Sequence, residues 1–176
     1  MLSKPIKPAM ELIYVKMMMD VIARGLVGAS ETDQTTQQEL QKFPEGFTLS
    51  MKVFPNGPSF VAKINDNKHL VLVKNPENKP NLTIIFKHLH HAYLVFSFQE
   101  STAQAFANDR MIADGDLSYA IRLVRCLNRM ESLILPKMVA NHAVKDYPDD
   151  LKLKEKLSRA SAIYIKLAQS YFKRSV

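Results

Sequence analysis

Residues 105–116 read AFANDRMIADGD, and a long amphipathic run follows them directly. This order predicts the end of a helix, a short strand, a tight turn at Gly115-Asp116 and a new helix. Asp116 suits the cap of that helix, because its carboxylate can accept hydrogen bonds from the free N–H groups of the first turn. Gly115 supplies the backbone freedom that a sharp reversal from strand to helix requires. The segment therefore predicts a strand–turn–helix unit.

This block resembles the core motif of the sterol carrier protein type 2 (SCP2) family, in its bacterial form. That motif runs from a Phe through a Gly-basic pair and a short strand to Gly-Asp and a helix. The positions that fit it are Phe106, Arg110, Met111, Ile112, Gly115 and Asp116. Asp109 departs from the motif, because the family usually has Gly there, although Asp tolerates a left-handed conformation better than most residues.

The resemblance covers roughly residues 47–135, about half of the chain. It implies a small lipid-binding domain rather than an enzyme. It also implies a five-stranded sheet with a hydrophobic cavity between the sheet and the helices that cover it.

Alternating apolar residues predict the strands that precede the motif. Phe47–Phe54 alternates cleanly, which is typical of a half-buried strand. The turn Pro55–Pro58 has Asn-Gly at its centre, the strongest short signal for a hairpin. The further strands expected are one with Phe60, Ala62 and Ile64 on one face, then Lys68–Lys74 and Leu82–Phe86. The apolar run Leu70–Val73 indicates more complete burial of the third strand.

Helices are predicted on both sides of these strands. Met10–Gly28 is apolar on most sides, whereas Ser30–Gln41 is polar and indicates a connector or a weak helix. The later elements expected are the helices His88–Phe98, Thr102–Ala107, Asp116–Leu135 and Leu151–Phe172, with a fifth strand at Arg110–Ala113. Leucines, alanine and tyrosines that step by four and three predict the last helix.

The order of elements predicts an α+β fold. We expect a five-stranded, mostly antiparallel sheet covered by helices, as in the SCP2 family, with added N- and C-terminal helices. Residues 1–45 would form a Met-rich helix and connector, and residues 46–136 the SCP2-like core. Residues 137–176 would form an amphipathic helix that packs on the core.

Composition narrows the classes of protein without selecting one. The net charge is +7 at pH 7 and the pI is about 9.5. Cys126 is the single cysteine, expected as a buried small side chain in a reducing compartment. Lys16, Asp20 and Arg24 interrupt the apolar N-terminal region, which argues against a membrane span. We expect a cytoplasmic location, with peripheral contact to a membrane as an open alternative.

Sequence motifs for catalysis are missing. The chain has no Gly-x-Ser-x-Gly elbow, phosphate loop or dinucleotide fingerprint, so we expect neither an enzyme nor a cofactor. His88 and His91 would share a helical face and could form a metal pair. Since no Cys pair or acidic residue stands at a suitable spacing, partly exposed histidines at a helix start are the preferred interpretation, and no metal site is predicted.

The expected function is non-catalytic lipid binding, with a sterol-like, acyl or isoprenoid ligand held in the cavity. The cavity candidates are Phe60, Ile64, Leu70, Leu72, Phe86, Phe106, Leu123, Leu127 and Leu167, each of which could equally be ordinary core. The alternative is an accessory or scaffold factor for isoprenoid quinone (ubiquinone) biosynthesis, with enzymes of that synthesis as partners. The segment Leu135–Met138 resembles such factors.

Two surfaces are candidates for docking. Arg122, Arg125 and Arg129 form a basic stripe that is either a solvated helix face or a contact for an anionic membrane. Nucleic acid is the weakest alternative, because the chain has no Trp and no aromatic-rich strand of the RNA-binding kind. The N-terminal helix, with Met17–Met19 consecutive, is apolar nearly all round and must be covered or must meet a lipid or a partner.

Overall fold

The structure, a computed structural model, describes residues 8–134 of the chain. The helices in this range are α1 (Pro8–Thr32), α2 (Gln34–Leu40), α3 (Leu89–Phe96), α4 (Thr102–Ala107) and α5 (Leu117–Ile134). The strands are β1 (Thr48–Val53), β2 (Ser59–Ile64), β3 (Leu70–Val73), β4 (Leu82–Phe86) and β5 (Met111–Asp114). The predicted helix Leu151–Phe172 and the residue Leu167 lie outside the described residues.

The strands form one sheet in the order β3-β2-β1-β4-β5. Neighbouring strands pair antiparallel except β1 and β4, which are parallel and lie at the centre. The predicted α+β class with a mostly antiparallel five-stranded sheet is therefore confirmed. Met51 on β1 faces Phe60 on β2 and Ile84 on β4, which fixes the register.

The hydrophobic core lies between this sheet and the helices. On β1, Leu49, Met51 and Val53 are buried, as their alternation predicts. On β4, Leu82, Thr83, Ile84 and Phe86 are buried and Ile85 is half-buried. Phe47 continues the inward face of β1 into a ring cluster with Phe43 and Tyr119, whose centroids lie 4.7–5.2 Å apart.

Helix α1 is longer than the sequence indicates, because it continues past Gly28 to Thr32. Its last turn is stabilised by the Thr32 hydroxyl, which donates to the Gly28 carbonyl at 2.8 Å. Ser30 Oγ accepts from Leu70 N at 3.0 Å and so ties α1 to β3. The polar stretch after it is a true helix, α2, in which Asp33 caps the N-terminus. Of the two interpretations of Ser30–Gln41, a connector or a weak helix, the helix applies to most of the stretch.

The predicted burial of Leu70–Val73 is also wrong beyond its first residue. Leu70 is buried, but Val71 is 45% exposed and Leu72 is 39% exposed. Leu70 lies against the end of α1, where its N–H donates to Ser30 Oγ at 3.0 Å. Leu72 shares the face of Leu70, but it lies further along this edge strand, which has a neighbouring strand on one side only.

Candidate functional site

An apolar cavity lies where α1, the C-terminal end of α3 and α5 meet. Its volume is about 40 Å³, which is room for about one water molecule. Seven residues line it, namely Met18, Val21, Ile22, Phe96, Phe98, Met130 and Glu131. The wall is therefore apolar apart from one carboxyl group.

The chain turns sharply after α3, and this turn places Phe98 in the cavity wall. Phe98 has a φ of +60°, and the two following N–H groups, of Gln99 and Glu100, donate back to the Leu94 carbonyl at 2.9 and 3.1 Å. A left-handed conformation costs a non-glycine residue about 1–2 kcal/mol. The Tyr14 hydroxyl donates to the Phe96 carbonyl at 3.0 Å, which fastens α1 to this turn. Burial raises the pKa of Tyr14, so this hydroxyl keeps its proton.

Glu131 is the polar group of the cavity. Burial raises its pKa to about 8, so the carboxyl group is mostly protonated at neutral pH. Among the described residues, no side chain pairs with this carboxyl. A protonated carboxyl in an apolar wall can donate one hydrogen bond to a ligand and can still accept others.

The residues that the sequence suggested for the cavity lie elsewhere. Ile64, Leu70, Phe86, Leu123 and Leu127 are buried in the main core, and Phe60 and Phe106 pack against it. None of these residues lines the 40 Å³ cavity. Leu72 is partly exposed on the edge strand. The core touches the cavity at Phe96, whose ring centroid lies 5.2 Å from that of Phe86. Contact between a ligand and these cavity candidates from the sequence stays a prediction.

The basic stripe of α5 faces α2. Arg122 and Arg125 both donate to the Glu39 carboxylate, at 2.8 and 3.3 Å. Arg129 binds the fully buried Asp33 carboxylate at 3.1 Å and is itself only 11% exposed. These ion pairs occupy the guanidinium groups within the protein, and Arg125 is the most exposed of the three. A membrane contact through this stripe stays a prediction.

The strand–turn–helix unit forms as its sequence predicts. Asp116 accepts a hydrogen bond from Ser118 N at 2.7 Å, and this contact with Ser118 lowers the pKa of its carboxyl. Gly115 has a φ of +141°, and Asp109 adopts the left-handed conformation at +56°. The position at which this chain departs from the family motif therefore has the backbone that a glycine would adopt.

Replacing Asp109 with glycine should leave the stability unchanged or raise it slightly. Glycine relieves the left-handed strain, which is about 1–2 kcal/mol, but it loses the exposed ion pair with Lys87. We expect Asp109→Ala, by contrast, to lower the free energy of unfolding by about 1 kcal/mol, since it keeps the strain and loses the pair. Urea denaturation of both variants measures this, and equal losses would contradict it.

His88, His91 and Cys126 are the candidates for metal or thiol chemistry in the part of the chain that the structure describes. The rings of His88 and His91 lie 5.0 Å apart, and burial, with the neighbouring His88 charge, lowers the pKa of His91. No group of three metal-ligating side chains lies together within residues 8–134. Cys126 is buried as predicted, and burial raises its pKa to about 12, which leaves the thiol unreactive.

None of the helices within residues 8–134 combines the length and the apolar character that crossing a bilayer demands.

Comparison with known proteins gives structural similarities only. No family model matches the sequence, and no curated protein is significantly similar to it. One similar solved structure is a UbiJ-SCP2 ubiquinone synthesis protein, with 14% identity, a TM-score of 0.43, and coverage of 73% of this chain and 97% of that chain. Another is sterol carrier protein domain 2 of Helicoverpa armigera, with 18% identity, a TM-score of 0.42, and coverage of 73% and 94%.

A third similar structure is sterol carrier protein 2 from Yarrowia lipolytica in its apo form. It is 14% identical at a TM-score of 0.43, with coverage of 65% of this chain and 89% of that chain. The names of all three structures contain SCP2 or sterol carrier protein, which is the family that residues 105–116 resemble.

Proposed function

We propose that this chain is a non-catalytic lipid-binding protein that holds an apolar ligand between α1, the end of α3 and α5. The observation that carries the proposal is the apolar cavity with a single carboxyl in its wall. The strand–turn–helix unit at residues 105–116, on which the resemblance to lipid-binding domains rests, supports it.

Ligand entry requires the cavity to expand, because about 40 Å³ holds no lipid. The wall is suited to such a change. Met18 and Met130 are unbranched side chains that adapt to different shapes with little strain. α1 and α5 meet here through side chains alone, so a small separation of the two helices breaks no sheet hydrogen bond. Burial of the ligand would supply about 25 cal/mol per Å² of apolar surface, before the cost of ordering it.

The direct test is native mass spectrometry of the purified chain, followed by solvent extraction of whatever leaves it. A defined mass of a lipid or quinone supports the proposal and identifies the chemical class of the ligand. A chain that carries nothing and also takes up no fluorescent lipid overturns it.

Filling the cavity should abolish uptake without unfolding the protein. We expect Val21→Phe to place its ring in the 40 Å³ space and to reduce binding of a fluorescent lipid by about tenfold or more, at a stability cost of about 1–3 kcal/mol. Leu72→Phe is the matched control, since Leu72 lies on the exposed edge of the sheet. Equal binding by the two variants would place the ligand elsewhere.

A second candidate is the accessory role in isoprenoid quinone biosynthesis. The outward face of α1 favours it, because Met10, Ile13 and Met17 are exposed and spaced along one side of the helix. A scaffold needs such an apolar contact for its enzymes. In the native cell, loss of the protein should lower the quinone content, and a variant with serine at these three positions should fail to restore it. Full restoration would contradict this role.

A further inference from the structure

Glu131 contributes a carboxyl group to the cavity wall, which is otherwise apolar over the described residues. Asn128 lies three residues earlier on the same face of α5. It does not line the cavity, but its buried Oδ1 atom has no hydrogen-bond partner among the described residues. Buried polar atoms are nearly always hydrogen-bonded in native proteins, because leaving one unpaired costs about 1–3 kcal/mol. The carboxyl in the apolar wall indicates that a polar part of a ligand is recognised here.

Three ion pairs hold charged groups on or near the surrounding elements. On α1, Arg24 donates to Asp20 at 3.0 Å. On α5, Arg129 binds Asp33. After α3, Glu100 is bound by Arg110 at 3.2 Å. None of these side chains lines the cavity, and within the described residues its wall holds no Lys, Arg or His.

Within residues 8–134, the cavity wall therefore offers no cation to an anionic headgroup. A fatty-acid carboxylate or a phosphate moved into this wall would lose its water and gain no opposite charge, which is costly. It would also face the oxygen atoms of Glu131. A neutral hydroxyl or carbonyl group, by contrast, can exchange hydrogen bonds with a protonated carboxyl at little cost.

We propose that the cavity selects an electrically neutral, largely apolar ligand that bears a hydroxyl or carbonyl group, and that the Glu131 carboxyl binds this group. This inference rests on the proposed lipid-binding function and narrows its ligand class. Fatty-acid anions and phospholipids are excluded from the cavity by the same chemistry.

Because Glu131 binds the ligand as a protonated carboxyl, the affinity for a neutral ligand should depend on pH. The pKa of this carboxyl is about 8, so the proton is held at pH 7 and lost above pH 8. The ionised group would place a charge against the apolar ligand and could no longer donate a hydrogen bond. Affinity for a neutral ligand should consequently be constant below neutrality and fall as the pH rises through 8.

The test uses two pyrene-labelled probes of equal chain length, one ending in an alcohol and one in a carboxylate. Fluorescence titration of the full chain at pH 7 should show about tenfold tighter binding of the alcohol, the equivalent of one hydrogen bond. Glu131→Gln should keep this preference, since an amide still donates, but its affinity should no longer fall above pH 8. Glu131→Leu should bind the alcohol about tenfold more weakly than the wild type, because its wall offers the hydroxyl no hydrogen bond, and should still exclude the carboxylate. Glu45→Gln, on the exposed loop before β1, is the matched control and should behave as the wild type.

Failure of this inference and failure of the proposed function give different results. Equal or tighter binding of the carboxylate probe overturns the selection of neutral ligands while leaving lipid binding intact. A pH profile that is the same in Glu131→Gln as in the wild type overturns the role of Glu131. Binding of neither probe at any pH overturns both proposals.

Discussion

Replacing Asp33 with alanine should lower the free energy of unfolding by about 3–5 kcal/mol, the range for removing one partner of a buried ion pair. The Asp33 side chain is fully buried and binds the Arg129 guanidinium through both of its oxygens. The same carboxylate caps α2, accepting from the Thr36 N–H at 2.9 Å and the Thr36 hydroxyl at 3.0 Å. Alanine would remove the cap and would leave a nearly buried positive charge without its partner.

Two further variants separate these effects in urea denaturation. Asp33→Asn keeps an oxygen for the cap and removes the charge. Its free energy of unfolding should therefore lie between those of the wild type and of Asp33→Ala. Glu39→Gln breaks the ion pairs with Arg122 and Arg125, which are more exposed, and should cost under about 1 kcal/mol. If Asp33→Ala and Glu39→Gln lose the same stability, the junction of α2 and α5 does not depend on the buried pair.

Local patterns in the sequence were sufficient for most individual elements. The alternation of Phe47–Phe54 and the Asn-Gly turn at residues 56–57 predict β1 and its hairpin partner, and both form. The Gly115-Asp116 pair predicts the start of α5, because turn geometry and helix capping depend on residues within a few positions of each other. Such features need no knowledge of the rest of the fold.

The order of the strands in the sheet could not be predicted from local sequence patterns. Leu70–Val73 is at least as apolar as Leu82–Phe86, yet the first lies at the edge of the sheet and the second next to its centre. Apolar content indicates that a strand can be buried, but contact with the helices decides which of its residues are covered. Leu72 shares a face with the buried Leu70 and is nevertheless 39% exposed.

The cavity residues were missed for a related reason. Three separate elements supply the wall, and Glu131 is one acidic residue in an amphipathic helix, where a solvated position is the usual expectation. The sequence does not indicate Phe98 as a cavity residue, because a left-handed conformation at a Phe cannot be predicted from the residue type. The partners of the basic stripe cannot be inferred from local patterns, since Asp33 lies 96 residues before Arg129 in the chain.

Gly115→Ala should destabilise the protein by about 2–4 kcal/mol, combining backbone strain with overpacking. The φ of +141° at Gly115 belongs to a region that side chains rarely permit, and a Cβ atom there would lie 2.6 Å from the Asn81 carbonyl oxygen. That oxygen belongs to the backbone next to β4, so it cannot move aside without disturbing the pairing of β4 with β5.

Gly46→Ala provides the matched control for this effect. Gly46 also has a positive φ, +75°, but an added Cβ would meet only the flexible end of Lys63 at 3.8 Å. Gly46→Ala should therefore lower the free energy of unfolding by the cost of left-handed strain alone, about 1–2 kcal/mol. A clearly larger loss at Gly115, measured by urea denaturation, would show that its φ of +141° and its close approach to β4 together cost more than left-handed strain alone. Equal losses would contradict any added cost of the close approach.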